Sequence, residues 1–319
     1  MPPTDLSVEI AHGKRSLSLR NPVTVASGTF SYGTDYAKII DVQRLGAIVT
    51  KTTTLRPRAG SPPQRIEETP AGMLNSIGLQ NMGMDKLIRD LAPVWARWTV
   101  PVIVSILGSS AEEYGECAAR LEGVDGIASL ELNISSPNAQ SGGMEFGQDA
   151  RSAAQVTAAC TRATTLPVIV KLTPNVTDIT EIARACVDAG ASALTVINTL
   201  QGMSIDARTQ RPSIARGFAG LSGPAIKPVA LRMVWQVASA VDVPVMGCGG
   251  ISNGTDAVEF LLAGATAVQV GTATFRNPRA PLDTLDGIER YCAEHNVTAI
   301  SDLIGAARRD FAPAPYLQN

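Results

Sequence analysis

Polar residues and glycines follow several short apolar runs in this chain, and they are the residues whose types and positions could do chemistry. In α/β enzymes the carboxyl ends of parallel strands meet at one edge, so residues that follow the strands gather there. The set has two lysines and several hydroxyl and amide side chains, but no histidine and no carboxylate. In chain order it contains Ser27, Gly28, Lys51, Thr52, Ser105, Asn133, Ser135, Ser136, Lys171, Asn198, Thr199, Gly249, Gly250, Gly271 and Thr272.

Glycines after the last two apolar runs predict a phosphate site. Gly249 and Gly250 follow one run, and Gly271 and Thr272 follow the next. Backbone N–H groups that no side chain shields can surround an anion, and barrel enzymes often bind phosphate after their seventh and eighth strands. A phosphorylated cofactor or substrate is therefore expected.

The two lysines and the absence of other reactive groups narrow the chemistry. Lys51 and Lys171 could each neutralise an anion, form a Schiff base or pair with a buried carboxylate. The histidines, His12 and His295, lie away from the strand ends, and no cluster of residues has metal-site spacing. Demanding chemistry without a metal or histidine implies an organic cofactor. Glu131, inside the fourth run, could be a paired buried carboxylate or a functional group.

The elements that position these residues repeat along the chain. Short runs rich in Val, Ile and Ala alternate with amphipathic helical patterns, and glycine stops a helix just before a run in LGAIV, AGASALT and AGATAV. Eight strand–helix units predict a closed (β/α)8 TIM barrel rather than a doubly wound open sheet. The predicted strands are about 23–28, 47–53, 101–107, 127–135, 167–173, 193–199, 243–250 and 266–272.

Segments outside this repeat predict the remaining architecture. Alternation at 6–10 and 17–19 around a turn predicts an N-terminal β-hairpin. The connections 54–100, 136–148 and 200–222 follow strands and should form long loops on the catalytic face, the last of them a glycine-rich loop beside a cofactor. No linker or change in composition interrupts the 319 residues, so a single domain, 1–319, is predicted.

Composition argues against several classes of function. Apolar residues make up 45% and charged residues 18%, and the net charge of -2 argues against a nucleic-acid or anionic-membrane surface. The five cysteines form no CxxC pair and are expected to be reduced thiols. The sequence has neither a signal-peptide pattern nor an apolar run of membrane-spanning length, so we expect a cytoplasmic protein.

Taken in order, several motifs resemble those of the dihydroorotate dehydrogenases, and specifically the class 1 type that works with a separate electron-transfer subunit. The resemblance covers nearly the whole chain and depends on the order and spacing of the motifs. They are NPV and ASGTF within 21–30, KTTT at 51–54, ETPAGMLNSIGLQN at 68–81, ELNISSPN at 131–138, VKLTP at 170–174, INT at 197–199, LSGP at 221–224 and GCGG at 247–250.

The resemblance implies FMN as the cofactor and dihydroorotate as the substrate. Asparagine amides would offer a donor and an acceptor to the alternating C=O and N–H groups of a pyrimidine, and Lys51 could serve its carboxylate. FMN would contact Ser27, Lys51, Thr52, Ser105, Asn133, Lys171, Ile197 and Gly223, with its phosphate at Gly249, Gly250, Gly271 and Thr272. The substrate would contact Lys51, Asn75, Ser76, Ile77, Gly78, Leu79, Asn133, Asn198 and Thr199.

The implied reaction oxidises (S)-dihydroorotate to orotate in de novo pyrimidine (UMP) biosynthesis, with hydride passing to flavin N5. The family pattern places the base that takes the C5 proton at Ser136, after strand four, where class 1 relatives usually carry cysteine; Lys51 is the second catalytic candidate. A serine hydroxyl needs a neighbour or a water chain to accept its proton. Ser105 also departs from the asparagine common in relatives, so only a weak flavin contact is expected there.

The partners also follow from the resemblance. A subunit carrying FAD and an iron–sulfur cluster would pass the electrons to NAD, in a homodimer within a heterotetramer. Serine-bearing class 1 relatives can use other acceptors, such as fumarate or a quinone, and a flavin-dependent dihydropyrimidine dehydrogenase is a further alternative. From the residues alone, a Schiff-base lyase or aldolase using Lys51 or Lys171, and a barrel that only binds a partner, also stay open.

Overall fold

The apolar runs of the sequence form short strands in the structure, which is a computed structural model. It describes residues 4–11, 16–134, 145–309 and 311. The strands are β1 (Val8–Ala11), β2 (Leu17–Leu19), β3 (Val23–Val25), β4 (Ala47–Val49), β5 (Ile66–Thr69), β6 (Gly72–Asn75), β7 (Val102–Ile106), β8 (Ser129–Asn133), β9 (Val168–Leu172), β10 (Ala193–Val196), β11 (Leu200–Met203), β12 (Ile205–Asp206), β13 (Arg211–Pro212), β14 (Phe218–Ser222), β15 (Val245–Cys248) and β16 (Ala267–Val270). The α-helices are α1 (Met84–Asp90), α2 (Ala92–Trp95), α3 (Ala111–Leu121), α4 (Ala150–Ala163), α5 (Ile179–Asp188), α6 (Lys227–Ala238), α7 (Gly254–Ala263), α8 (Ala273–Arg276) and α9 (Ala280–Glu294).

Eight of the strands close into a parallel barrel. Their order is β3, β4, β7, β8, β9, β10, β15 and β16, and β16 pairs back to β3. Strands β7, β8 and β9 consist entirely of buried residues, as strands between a packed interior and an outer layer of helices require. The (β/α)8 barrel predicted from the repeat is confirmed.

The observed strands end earlier than the predicted ones at the catalytic rim. Strand β4 ends before Lys51, β10 ends before Asn198, and β16 ends before Thr272. Single backbone hydrogen bonds continue past these ends, as from the Asn198 N–H to the Leu172 carbonyl oxygen, but the regular strands do not extend into the rim connections. Residues thought to end the strands therefore belong to the rim itself.

Helix boundaries follow local capping signals. The Ser110 hydroxyl accepts a hydrogen bond from the Glu113 N–H at the start of α3, and Asp178 caps α5 in the same way. Helix α7 ends at Gly264, whose φ of +115° favours glycine. Across the described residues, no helix is both long enough and apolar enough to cross a membrane.

The predicted N-terminal hairpin is confirmed by β1 and β2, which pair antiparallel with Val8 opposite Leu19. Val8, Ile10, Leu17 and Leu19 are all buried in the main hydrophobic core, so the hairpin is part of the barrel's packing. Residues 12–15, which join the two strands and include His12, lie outside the described residues.

A second sheet joins two of the long connections, and the sequence did not predict it. Strands β5 and β6 come from 54–100, strands β11 and β14 from 200–222, and they pair antiparallel in the order β11, β14, β6, β5. The connection 200–222 lies on the catalytic face as expected, but it contains the strands β11 to β14 rather than only a loop. Gly220 serves close packing, because a Cβ there would lie 2.3 Å from the Thr199 hydroxyl oxygen.

Replacing the cap of α3 tests the local basis of this helix. Ser110→Ala removes the acceptor for the Glu113 N–H, so we expect the free energy of unfolding to fall by about 1 kcal/mol. Ser110→Asn supplies another acceptor and should keep most of the stability. Urea unfolding of the three proteins measures this difference; an alanine variant as stable as the original chain would show that the cap contributes nothing.

Candidate active site

The residues that follow the barrel strands face a cavity of about 650 Å³, bounded by the barrel rim and the sheet of β11, β14, β6 and β5. This volume lies in the range of pockets that bury cofactors and small substrates. The sequence-predicted residues that line it are Ser27, Lys51, Thr52, Asn75, Ile77, Leu79, Asn133, Lys171, Ile197, Asn198, Thr199, Gly223, Gly249, Gly250, Gly271 and Thr272.

Three predicted residues lie behind the cavity wall. Ser105 is fully buried and shares a hydrogen bond of 2.9 Å with the Thr52 hydroxyl, so it contacts the cavity only through Thr52. Ser76 is buried between two lining residues, and Gly78 turns the loop with a φ of +73°. Ser136, the predicted base, lies outside the described residues.

Glycines shape the wall beyond β15. Gly249 and Gly250 have φ of +137° and +76°, a region that favours glycine. A Cβ would lie 2.6 Å from the Ala230 Cβ in the first case and 2.8 Å from the Lys227 Cβ in the second. The chain can pass α6 this closely only without side chains, and its bare backbone then faces the cavity, as an anion site requires.

A chain of hydrogen bonds orients the amides on the opposite wall. The Asn133 Nδ2 donates to the Thr52 hydroxyl at 3.1 Å, and its Oδ1 accepts from the Asn198 Nδ2 at 3.4 Å. The Asn198 Oδ1 accepts from the Thr199 backbone N–H at 2.8 Å. Because each amide has a partner at both ends, the wall presents neutral donors and acceptors in fixed directions.

Lys171 supplies a fixed positive charge at the cavity floor. Its side chain is buried, and its Nζ donates to the Gln269 Oε1 at 3.1 Å and to the Ser27 hydroxyl at 3.5 Å. Burial lowers the pKa of Lys171, but Cys248 and Glu131 together raise it by more, so its pKa lies above the usual lysine value. The ammonium form is therefore stable at neutral pH.

Lys51 has a different electrostatic environment in the same cavity. Burial lowers the pKa of Lys51, and the nearby Arg65 lowers it further. Within the described residues its ammonium has no hydrogen-bond acceptor and no ion-pair partner. An anion bound in the cavity would supply the missing countercharge.

The sequence interpretation missed several lining residues, including one that organises the loop before α1. The Asn81 Nδ2 donates to the Thr54 hydroxyl at 3.0 Å and to the Leu79 carbonyl oxygen at 2.8 Å, and its Oδ1 accepts from the Gly83 N–H at 2.9 Å. Its place at the end of the 68–81 motif was the available signal. Other lining residues not predicted include Tyr32, Met73, Ser222, Cys248, Ser252 and Phe275.

The lining chemistry suits an anionic ligand. In the described part of the chain, Lys51 and Lys171 are the charged lining residues, and the others are apolar groups, hydroxyls, amides, a thiol and glycines. The same residues contain no group of three or more His, Cys, Asp or Glu side chains that could bind a metal ion. Phosphate, carboxylate and cyclic amide groups would each find complementary partners here.

Comparison with known proteins agrees with this chemistry. A model of the family described as dihydroorotate dehydrogenase matches residues 7–291. Among the similar proteins are two catalytic subunits of dihydroorotate dehydrogenase B (NAD(+)). The one from Pelobacter propionicus is 55% identical over 95% of this chain and 98% of its own length. The one from Desulforamulus reducens is 57% identical over 91% of this chain and 96% of its own length.

A solved structure shows the same fold. The crystal structure of DHODH from Eimeria tenella in complex with ferulenol has a TM-score of 0.80 and 22% identity, and the match covers 96% of this chain and 89% of that chain. The family assignment itself depends on the sequence matches, which extend over almost the whole length of both chains. This chain belongs to the dihydroorotate dehydrogenase family.

Proposed function

We propose that the cavity binds FMN and (S)-dihydroorotate side by side and that the rim residues named below carry out the oxidation to orotate. As a member of its family, the chain is an oxidoreductase that acts on dihydroorotate in pyrimidine biosynthesis. The observation that supports these residue roles is the pair of lysines. One is fixed and charged at the floor of the cavity, and the other lies in its wall without a countercharge among the described residues.

The residues of the floor and the glycine wall fit FMN. Bare backbone at Gly249 and Gly250 suits a phosphate, together with Gly271 and Thr272 at the start of α8. When bound, FMN supplies the acceptor for the hydride that leaves C6 of the substrate. The ring and ribityl chain would contact Ser27, Lys51, Thr52, Asn133, Lys171, Ile197 and Gly223, with Ser105 supporting Thr52 from behind.

The opposite wall fits dihydroorotate. The Lys51 ammonium would pair with the substrate carboxylate, and the oriented amides of Asn133 and Asn198 would bind the ring C=O and N–H groups. Asn75, Ile77, Leu79 and Thr199 would complete the contacts, while Ser76 and Gly78 shape the loop that carries three of them. The covering sheet would exclude water from the bound substrate.

Ser136 is the proposed base. It follows β8, the strand that ends at Asn133, and the Tyr114 hydroxyl fixes that strand end by donating to the Asn133 carbonyl oxygen at 2.7 Å. The Ser136 hydroxyl would take the C5 proton and release its own proton to water, because no histidine is near in the sequence. Serine in place of a thiol makes this step more dependent on that proton release.

The electrons would leave through a partner. The relatives above are named as catalytic subunits of an NAD(+)-type enzyme, and such a name implies a second subunit. We extend this to the present chain, with a partner that carries FAD and an iron–sulfur cluster, a homodimer of this chain within a heterotetramer, and a cytoplasmic location. The whole of 1–319 would act as one domain. Fumarate or a quinone would be the acceptor if no such partner binds.

Anaerobic addition of dihydroorotate to the purified chain tests the proposal directly. Loss of the oxidised flavin absorbance is expected and would support the cofactor, the substrate and the first half-reaction together. A yellow protein that stays oxidised would contradict dihydroorotate as the substrate. A colourless protein that FMN cannot restore, but that borohydride traps on a carbonyl substrate, would favour the Schiff-base alternative.

The role of Ser136 gives a kinetic prediction. Ser136→Ala should retain FMN but slow flavin reduction by dihydroorotate about 100-fold or more, which is the scale of a lost acid–base group. Ser136→Cys should keep more of the rate, because a thiol ionises more readily than a hydroxyl. Stopped-flow absorbance measures all three proteins; an alanine variant that reduces its flavin at the original rate would remove Ser136 from the mechanism.

The lowered pKa of Lys51 predicts how orotate binding depends on pH. A bound carboxylate favours the ammonium form, so affinity should be full below this pKa and fall as the pH rises through it, starting below the usual lysine value of 10.5. The loss should be about 10-fold or more, the worth of one charged hydrogen bond. Lys51→Met should bind orotate weakly at every pH. Because this variant has no ammonium at position 51, any pH dependence that remains comes from the titration of orotate itself. Parallel curves for the two proteins would contradict the role of Lys51.

A further inference from the structure

Four buried polar side chains form a connected group beneath the cavity floor, in the interior of the barrel. They are Glu131 on β8, Lys171 on β9, Thr195 on β10 and Gln269 on β16, and each is 3% exposed or less. Lys171 is the member of the group that lines the cavity. Barrel interiors are usually filled with branched apolar side chains, so a carboxylate here is costly and needs a physical reason.

The hydrogen bonds of this group connect Glu131 to Lys171 through one amide. The Gln269 Nε2 donates to the Glu131 Oε2 at 2.7 Å, and the Gln269 Oε1 accepts from the Lys171 Nζ at 3.1 Å. The Thr195 hydroxyl also donates to the Glu131 Oε2, at 2.9 Å. An ionised carboxylate accepts only and an ammonium donates only, so the two ends leave the amide a single orientation.

Without Glu131 the amide would lose one of the two charged groups that fix its orientation, and only Lys171 would remain. The Gln269 side chain could then rotate by half a turn and present its NH₂ group to the Lys171 ammonium, which has no lone pair to accept it. Glu131 also supplies a negative charge that raises the pKa of Lys171, and its Oε1 has no hydrogen-bond partner among the described residues. The carboxylate therefore acts on Lys171 through both geometry and charge.

We propose that Glu131 is a positioning residue that, through Gln269, holds the Lys171 ammonium at the cavity floor and thereby sets the reduction potential of the flavin. The inference rests on the proposed binding of FMN beside Lys171. A fixed cation next to the isoalloxazine ring stabilises the negative charge that reduction adds, so the potential depends on Lys171 staying protonated and in place.

The pH dependence of the FMN midpoint potential, measured on the holoenzyme, tests this inference. In Glu131→Gln the carboxylate no longer supports the ammonium, so Lys171 should lose its proton at a lower pH than in the original protein. At alkaline pH the variant's potential should then lie about 30 mV or more below the original, equal to a tenfold change in the two-electron equilibrium. At neutral pH, with Lys171 protonated in both, the variant's potential should equal or exceed the original.

Two further variants separate the amide link from general effects of substitution. Gln269→Met breaks the link but keeps the charge of the carboxylate, so it should show an alkaline fall in the same direction but smaller. It also replaces Glu131→Gln if that variant fails to fold. Thr195→Val removes a hydroxyl that donates to Glu131 and accepts a 3.4 Å hydrogen bond from the Gln269 Nε2. It leaves the bonds from Gln269 to Glu131 and to Lys171 in place, so its potential should follow the original protein. A Thr195→Val curve with the same alkaline fall would overturn the inference.

One other titratable group faces Lys171 in the described residues, the Cys248 thiol on β15 at 3.9 Å, while Gln269 and Ser27 are neutral. Burial raises the pKa of this thiol above its usual value. Repeating the comparison in a Cys248→Ala background excludes its titration as the source of the alkaline fall. Potentials of Glu131→Gln and the original protein that stay parallel at every pH would contradict the inference. An original protein that binds no FMN would instead contradict the proposed function.

Discussion

The carboxyl ends of eight parallel strands meet at one rim once the barrel closes, and the rest of the structure depends on this constraint. It brings Lys51, Asn133, Lys171 and Gly249 together although they lie far apart in sequence. Each strand needs to supply only one or two polar residues past its last buried position. The strands can therefore remain almost wholly apolar, which gives the barrel its stability, while their ends vary in chemistry.

Polarity inside the barrel is the exception to this division and has a distinct cost. Lys171 and Glu131 both lie within strands whose other residues are buried, and each charge loses most of its hydration there. Gln269 and Thr195 offset part of the cost by supplying hydrogen bonds to both charges. Apolar side chains of similar volume in place of Lys171 and Glu131 would make the barrel interior more stable. The two charged residues therefore indicate selection for the function of the cavity rather than for the stability of the core.

The barrel and most of the rim could be predicted from the sequence because local signals specify them. Apolar runs, helix-stopping glycines such as Gly264 and caps such as Ser110 act within a few residues of each other. The sheet that covers the cavity could not be predicted in this way, because β6 pairs with β14 from a distant segment and short glycine-containing strands have weak patterns. The prediction that Ser105 contacts the flavin has a related explanation. The position of Ser105 at a strand end predicts the direction of its side chain, but it does not reveal that the Thr52 hydroxyl lies between Ser105 and the cavity.

The two lysines show how one cavity can give the same side chain two different properties. Both are desolvated, and burial alone would lower the pKa of each. Lys171 faces a carboxylate and a thiol, which raise its pKa, whereas Lys51 faces Arg65, which lowers it. Lys171, which keeps its charge, suits a cofactor that stays bound. Lys51, whose ammonium form is stabilised when an anion binds, suits a ligand that must bind and dissociate. Surroundings that push two identical groups apart in pKa are a physical basis for assigning them different roles.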